Sequence, residues 1–171
     1  MSDQRVSSEK PKASKRSLSR LAAIQAMFQI EQSGDAPSAV IREFLEHRLG
    51  QEIDGDHYLR ADTTLFANLV RGCSQEITKI DELIAGSLAK DWTLERIESV
   101  IRAILRLGTY ELKDHLETPT LVIINEYLEL TRAFYDHDEE VSFVNGVLDK
   151  IAKILRQGMD LREGTSPHKE D

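Results

Sequence analysis

Apolar residues recur at helical spacing through almost the whole of this chain, and no segment of convincing length alternates as a strand would. Phe143, Val144, Val147, Leu148, Ile151, Ile154 and Leu155 show the pattern clearly, falling on one face of a 3.6-residue helix. The reading is therefore all-α, with about six to seven helices. Aromatic residues make up only 6% of the sequence, so the core is built on Leu, Ile, Val and Ala. That composition suits a helical bundle better than a sandwich of sheets.

Start and stop signals divide the pattern. The first helix begins near Ser14 to Ser17, good capping residues, and stops at Ser33-Gly34. Leu18, Leu21, Ala22, Ile24 and Phe28 form its expected buried face. Asp35-Ala36-Pro37 opens a second helix lined by Val40, Ile41, Phe44, Leu45 and Leu49, with proline in the first turn. Residues 50–56 read as an acidic loop. From about Tyr58 to Ala89 one long helix is expected, bent near Gly72. Thr93 is the expected cap of the next, which reaches about Asp114 and is apolar around much of its circumference, hence central. Thr118-Pro119 starts a helix through Phe134, the acidic run 136–140 links, and the last helix runs from about Val141 to Arg156. Residues 1–13 and 157–171 lack apolar periodicity and read as a basic disordered tail and a polar flexible tail around a single domain, 14–156.

No apolar run approaches the roughly 18 residues of a membrane span, and the N-terminus has no apolar secretory core. The single cysteine, Cys73, lies on an apolar stripe and reads as a small core residue. These features point to a cytoplasmic protein. No phosphate-binding glycine loop is present, the five histidines are scattered without metal-ligand spacing, and the acidic run lacks the pattern of a calcium loop. The sequence thus points to no enzyme, no metal and no cofactor.

The net charge of −8 argues against general nucleic-acid binding, but its distribution does not. Residues 1–30 hold six Lys or Arg against two acids, net +4, and the remainder holds 16 against 28, net −12. The basic end reads either as a local anion site or as a solubilising tail.

The last helix contains an oddity. Asn145-Gly146 is a strong hairpin-turn signal, yet it sits in the middle of a helical pattern, where glycine costs about 1 kcal/mol relative to alanine. With Phe143 at zero and a step of about 100° per residue, Gly146 falls near 300°, between Lys150 and Lys153, and Asn145 near 200°. Glycine there opens a gap on the outer face, with cations beside it and Phe143 at the edge of the buried stripe. That face suits single-stranded RNA, with cations for phosphate, an aromatic ring for stacking and an amide for base edges. It equally suits a closely packed partner helix, or a solvated face that tolerates a glycine. The first helix offers a second stripe, Arg16, Arg20, Ala23 and Met27, whose arginines suit phosphate or pairing with acids. Gln25 falls within the apolar face and would need a partner if buried.

RLAAIQAMFQ (Arg20–Gln29), IRAILRLGTYEL (Ile101–Leu112), VIINEYLELT (Val122–Thr131) and FVNGVLDKIA (Phe143–Ala152) together resemble the NusB family of bacterial transcription antitermination factors. The resemblance covers about residues 14–156 and agrees in motif order and spacing. It implies a NusB-like fold of two small packed helical lobes. It implies binding to the boxA element of rRNA leader transcripts, a heterodimer with NusE (a small-subunit ribosomal protein), and an antitermination complex on RNA polymerase, with no catalysis.

The family's RNA site maps here onto Arg16, Arg20, Phe28 and Phe143 through Gly146, and Lys150 and Lys153 join it by periodicity. Its partner contact maps onto Ile101 and Arg102. Ser17 and Leu18 stand where arginines are common, which leaves Lys12 and Lys15 to supplement the cations. Asp138-Glu139-Glu140 replaces a loop that often reads Glu-Asp-Ser. Ile101 stands where an acid is frequent, and its spacing from Ile97 and Leu105 also fits the core. The sequence leaves monomer or homodimer open for the free protein. The other readings are a NusB-like module of an RNA-modifying enzyme, for which the chain leaves no room after its last helix, and an interaction module without RNA binding.

Overall fold

The computed structural model describes residues 14–49 and 62–157. Both expected tails (1–13 and nearly all of 157–171) and the whole of the acidic loop (50–56) lie outside that range. Among the described residues there are seven α-helices and no strand. They are α1 (Lys15–Ser33), α2 (Pro37–His47), α3 (Thr63–Gln75), α4 (Ile77–Ser87), α5 (Ser99–Asp114), α6 (Thr120–Phe134) and α7 (Asp138–Leu155), with a 3-10 turn at Leu94–Arg96 before α5.

Helices α1, α2 and α3 pack on one another, and α4, α6 and α7 gather around α5. Helix α5 also packs against α1 and α3, so it joins the two groups. Its sequence explains that role: Ile101, Ala103, Ile104, Leu105, Leu107, Tyr110 and Leu112 are all buried, which requires partners on several sides. The buried apolar residues of both groups form one continuous core.

Local chemistry sets the ends. The Ser14 hydroxyl accepts the Ser17 N–H at 3.0 Å and caps α1. Gly34 closes α1 in the left-handed region at φ 72°, its N–H returning to the Ile30 carbonyl. Phe44 and Phe66 stack with ring centroids 5.4 Å apart and lock α2 to α3. At the far end Arg156 is buried and donates to the carbonyls of Leu112, Thr118 and His115 at 2.7–2.9 Å. It ties the end of α7 to the α5–α6 connection.

Four expectations change. The long helix expected from 58 to 89, whose residues 58–61 lie outside the described range, is two helices over the described part, broken at Glu76, whose backbone leaves the helical region at φ −105° and ψ 16°. The Lys113 ammonium holds the Glu76 carboxylate there at 2.8 Å. Gly72 is not the bend: a Cβ on it would lie 2.0 Å from the Tyr110 hydroxyl oxygen, so glycine admits α5 against α3. Thr93 precedes the 3-10 turn, and the cap of α5 is Glu98, which accepts the Val100 N–H at 3.4 Å. Helix α7 begins at Asp138 rather than Val141. Three acids in its first turn suit the positive end of a helix dipole. On α7 itself Ile154 is exposed and Ala152 buried, so the buried stripe is rotated slightly from the expected one.

Candidate nucleic-acid and partner interface

The two faces singled out in the sequence fare differently. On α7 the outer face stands as read. Asn145, Gly146, Lys150 and Lys153 are all exposed. A Cβ built on Gly146 meets nothing within 4 Å, so no packing demand explains the glycine. Lys153 pairs with Asp149 at 3.0 Å across one exposed turn, a contact worth a few tenths of a kcal/mol. Lys150 has no ion-pair partner among the described residues.

On α1 the expected phosphate stripe turns inward. Arg20 is 3% exposed, and Ala23 and Met27 are buried with it. The Arg20 guanidinium forks onto Glu111 of α5, Nε to Oε2 and Nη2 to Oε1, both at 2.8 Å. The Tyr127 hydroxyl of α6 donates to the same carboxylate at 2.5 Å, and Glu126 lies 3.5 Å from Arg20 Nη1. Burial alone would raise the Glu111 carboxyl; the hydrogen bonds from Arg20 and Tyr127, with His115 Nδ1 close by at 3.4 Å, override burial and lower it to about 2. Arg20 therefore holds three helices together, and its guanidinium is engaged inside the fold.

The reason it was misread is compositional. The inner face of α1 is Ser19, Arg20, Ala22, Ala23 and Ala26 beside Ile24 and Met27, mostly small or polar residues that give little hydrophobic contrast. Arg16, one turn earlier, stays exposed with no ion-pair partner among the described residues. Ser17 beside it donates to Glu126 at 2.8 Å and fixes the first turn of α1 onto α6.

Phe28, expected on the buried face by periodicity, is 38% exposed. It opens into a groove of about 630 Å³ with Gln25, Gln29, Gln32, Arg48, Val100 and Phe134 among its lining. Gln25 is exposed there and needs no internal partner. No Asp or Glu among the described residues lines this groove. Phe134 is a surface aromatic that the sequence reading missed, since the end of an amphipathic helix gives no sign of which way it faces.

The residues of the expected partner contact are both engaged within the chain. Ile101 is buried in the core. Arg102 is engaged within the chain, with its guanidinium bonded to Glu31 and to the Leu94 and Ile97 carbonyls at 3.1 and 2.6 Å. It pins the 3-10 turn to α5 and α1. The edge of Ile101 does reach a second groove, of about 320 Å³, between the 3-10 turn and α7, together with Trp92, Arg96, Glu98, Glu139, Glu140 and Phe143. Phe143 is half-buried there, its ring centroid 6.2 Å from that of Trp92, so its ring is committed to this groove. Trp92 is 49% exposed and went unremarked in the sequence, although a lone tryptophan before a buried helix is a usable signal.

Cys73 is fully buried, and burial pushes its thiol up, as befits a core residue. No group of His, Cys, Asp and Glu among the described residues forms a metal site, and no described helix is long and apolar enough to cross a membrane.

The sequence matches the family model described as the NusB family over residues 17–153. It is 47% identical to the transcription antitermination protein NusB of Agrobacterium fabrum over 152 residues, which is 89% of this chain and 91% of the relative. Among solved structures, NusB of T. maritima superposes with a TM-score of 0.66 at 31% identity, covering 81% of this chain and 90% of that one. A crystal structure of antitermination factors NusB and NusE in complex with dsRNA superposes at 0.67 with 25% identity, covering 82% and 97%. The all-helical architecture and the match across most of the chain lead to one conclusion: this chain belongs to the NusB family of transcription antitermination proteins.

Proposed function

We propose that the chain is a cytoplasmic RNA-binding factor that engages boxA of rRNA leader transcripts together with NusE, without catalysis, and supports processive transcription by RNA polymerase. The observation that carries the reading is the outer face of α7. Gly146 is an exposed helical glycine that the fold does not require, and it stands beside Asn145, Lys150 and Lys153. A helix gives up about 1 kcal/mol to keep glycine there, which fits a backbone approached closely from outside. Kinship with a protein crystallised with NusE and dsRNA supports both partners.

In this reading Arg16, Lys150 and Lys153 hold phosphates, Asn145 meets a base edge, and Phe28 stacks a base in its groove, which has no carboxylate among the described residues. Arg20 is left out because it is buried, and Phe143 because its ring faces Trp92. Three phosphate contacts predict that log affinity falls with log salt at a slope of about −2 for single-stranded RNA. Fluorescence anisotropy with a boxA-type RNA and a scrambled control, with and without NusE, tests this. Preference for boxA that tightens with NusE supports the reading. A slope near zero, or no discrimination under either condition, overturns it and leaves an interaction module.

A further inference from the structure

Arg16 on α1 and the outer face of α7 do not adjoin, because helix α6 packs on both α1 and α7 and lies between them. The N-terminal half of α6 carries the most exposed large apolar residue among those described, Leu121 at 72%, with Val122 beside it at 47%. Asn125 is exposed on the same half, with no hydrogen-bond partner among the described residues. A helical step of about 100° puts the three in order across the surface. Val122 falls about 40° from Glu126, whose carboxylate accepts from Ser17 of α1 at 2.8 Å. Asn125 and Leu121 follow at about 100° and 140° in the same direction, away from α1 and toward α7. The heights agree as well. Leu148 of α7 and Tyr127 of α6 both flank Gly108, and the two helices run antiparallel, with Arg156 at the end of α7 donating to the Thr118 carbonyl just before α6 at 2.7 Å. Leu121 therefore stands at the height of Lys153 on α7. The carboxylates that flank the strip are already paired, Glu126 with Ser17 and Arg20 and Asp149 with Lys153.

We propose that Leu121, Val122 and Asn125 form the middle of the RNA track, an uncharged shelf for the bases of a single strand whose phosphates are held by Arg16 on one side and by Lys150 and Lys153 on the other. Single exposed apolar residues need no explanation, but an adjoining pair between cations fits a ligand that is both anionic and apolar. Unstacked RNA bases have that character: their faces leave water when Leu121 and Val122 cover them, and the Asn125 amide meets a base edge. Arg16 and Lys150 have no ion-pair partner among the described residues, so their charge favours a polyanion over an apolar protein segment. The proposal rests on the RNA-binding reading and deepens it, by joining two separate cationic faces into one path.

The test compares the full-length wild type with the double variant L121S/V122S and with L45S, which makes the same change at an exposed leucine of α2. Each is titrated with a fluorescent boxA-type RNA across a range of salt, and a thermal melt checks folding. The expected result is an affinity at least fivefold weaker in L121S/V122S, with the salt slope of the wild type, because the lost contact is uncharged. L45S should bind as the wild type does. A photoreactive p-benzoylphenylalanine at position 121 should crosslink to the RNA on irradiation. Unchanged affinity in the folded double variant, a shallower slope, an equal loss in L45S, or no crosslink overturns the proposal. So does a double variant that binds RNA normally and loses NusE, which gives the shelf to a protein partner. A wild type that binds no boxA-type RNA sinks the functional reading and the shelf with it, whereas a wild type that binds beside an unaffected double variant sinks the shelf alone.

Discussion

Arg20 and Lys150 are both helical cations in segments that the sequence marks as suited to RNA, yet one is sealed into the centre of the molecule and the other stands in solvent. Arg20 is forked by Glu111, with Tyr127 on the same carboxylate, between α1, α5 and α6. Lys150 lies on the outer face of α7, with no ion-pair partner among the described residues. Charge type therefore does not say which side of a helix is outside. What decides is whether another element carries the complementary group to the same place. A planar guanidinium that can be forked is also the cation better suited to burial.

The comparison breaks most visibly at Glu111. Glu111→Gln leaves Arg20 buried without its counter-charge and should cost about 3–5 kcal/mol in urea unfolding, whereas Lys150→Ala should move stability by no more than about 0.5 kcal/mol. Equal effects would mean that the two cations are not so different.

Acid should separate them next. The Glu111 carboxyl is lowered from 4.5 to about 2 in the fold, so its contribution is complete above pH 4.5, declines as pH falls, and is gone below about pH 2. That contribution is on the order of 3 kcal/mol. Stability of the wild type should fall through this window, and that of Glu111→Gln should fall less. Parallel curves would show that other carboxylates carry the acid sensitivity.

Two glycines sharpen the contrast between interior and outer face. Gly72→Ala drives a Cβ into Tyr110 and should destabilise by about 1–3 kcal/mol. Gly146→Ala meets open space and should stabilise the fold by up to about 1 kcal/mol while weakening RNA binding. A thermal melt paired with RNA anisotropy gives both signs, and a Gly146→Ala protein that binds RNA undiminished would remove the reason for the glycine. The smallest effect is again at Lys150. Lys150→Ala should make the salt slope of RNA binding shallower by about 0.7, whereas an unchanged slope would take Lys150 out of the phosphate contacts.

Much of the architecture was legible because it rests on local signals. The capping Ser14, the Ser33-Gly34 stop, Pro37 and the all-round apolar α5 each act within a turn or two of the chain. The break at Glu76 was not legible, because the Lys113 that holds it comes from 37 residues further along the chain. Phe28 was assigned to the interior by spacing and is exposed in the structure, since a helix rich in alanine has no sharp boundary between its faces. The outer face of α7 was read correctly from spacing alone, because its buried side is strongly apolar and fixes the rotation of the helix.

The sequence by itself determined the helical class, most helix ends, the outer face of α7 and the family. Tertiary structure decided the rotation of α1, the burial of Arg20, the engagement of Arg102 and the meeting of Trp92 with Phe143 across about 50 residues of chain. The physical reason is range. Periodicity and capping depend on neighbours within a few residues, whereas the solvation and pairing of a charge or an aromatic ring depend on whichever distant helix packs against it.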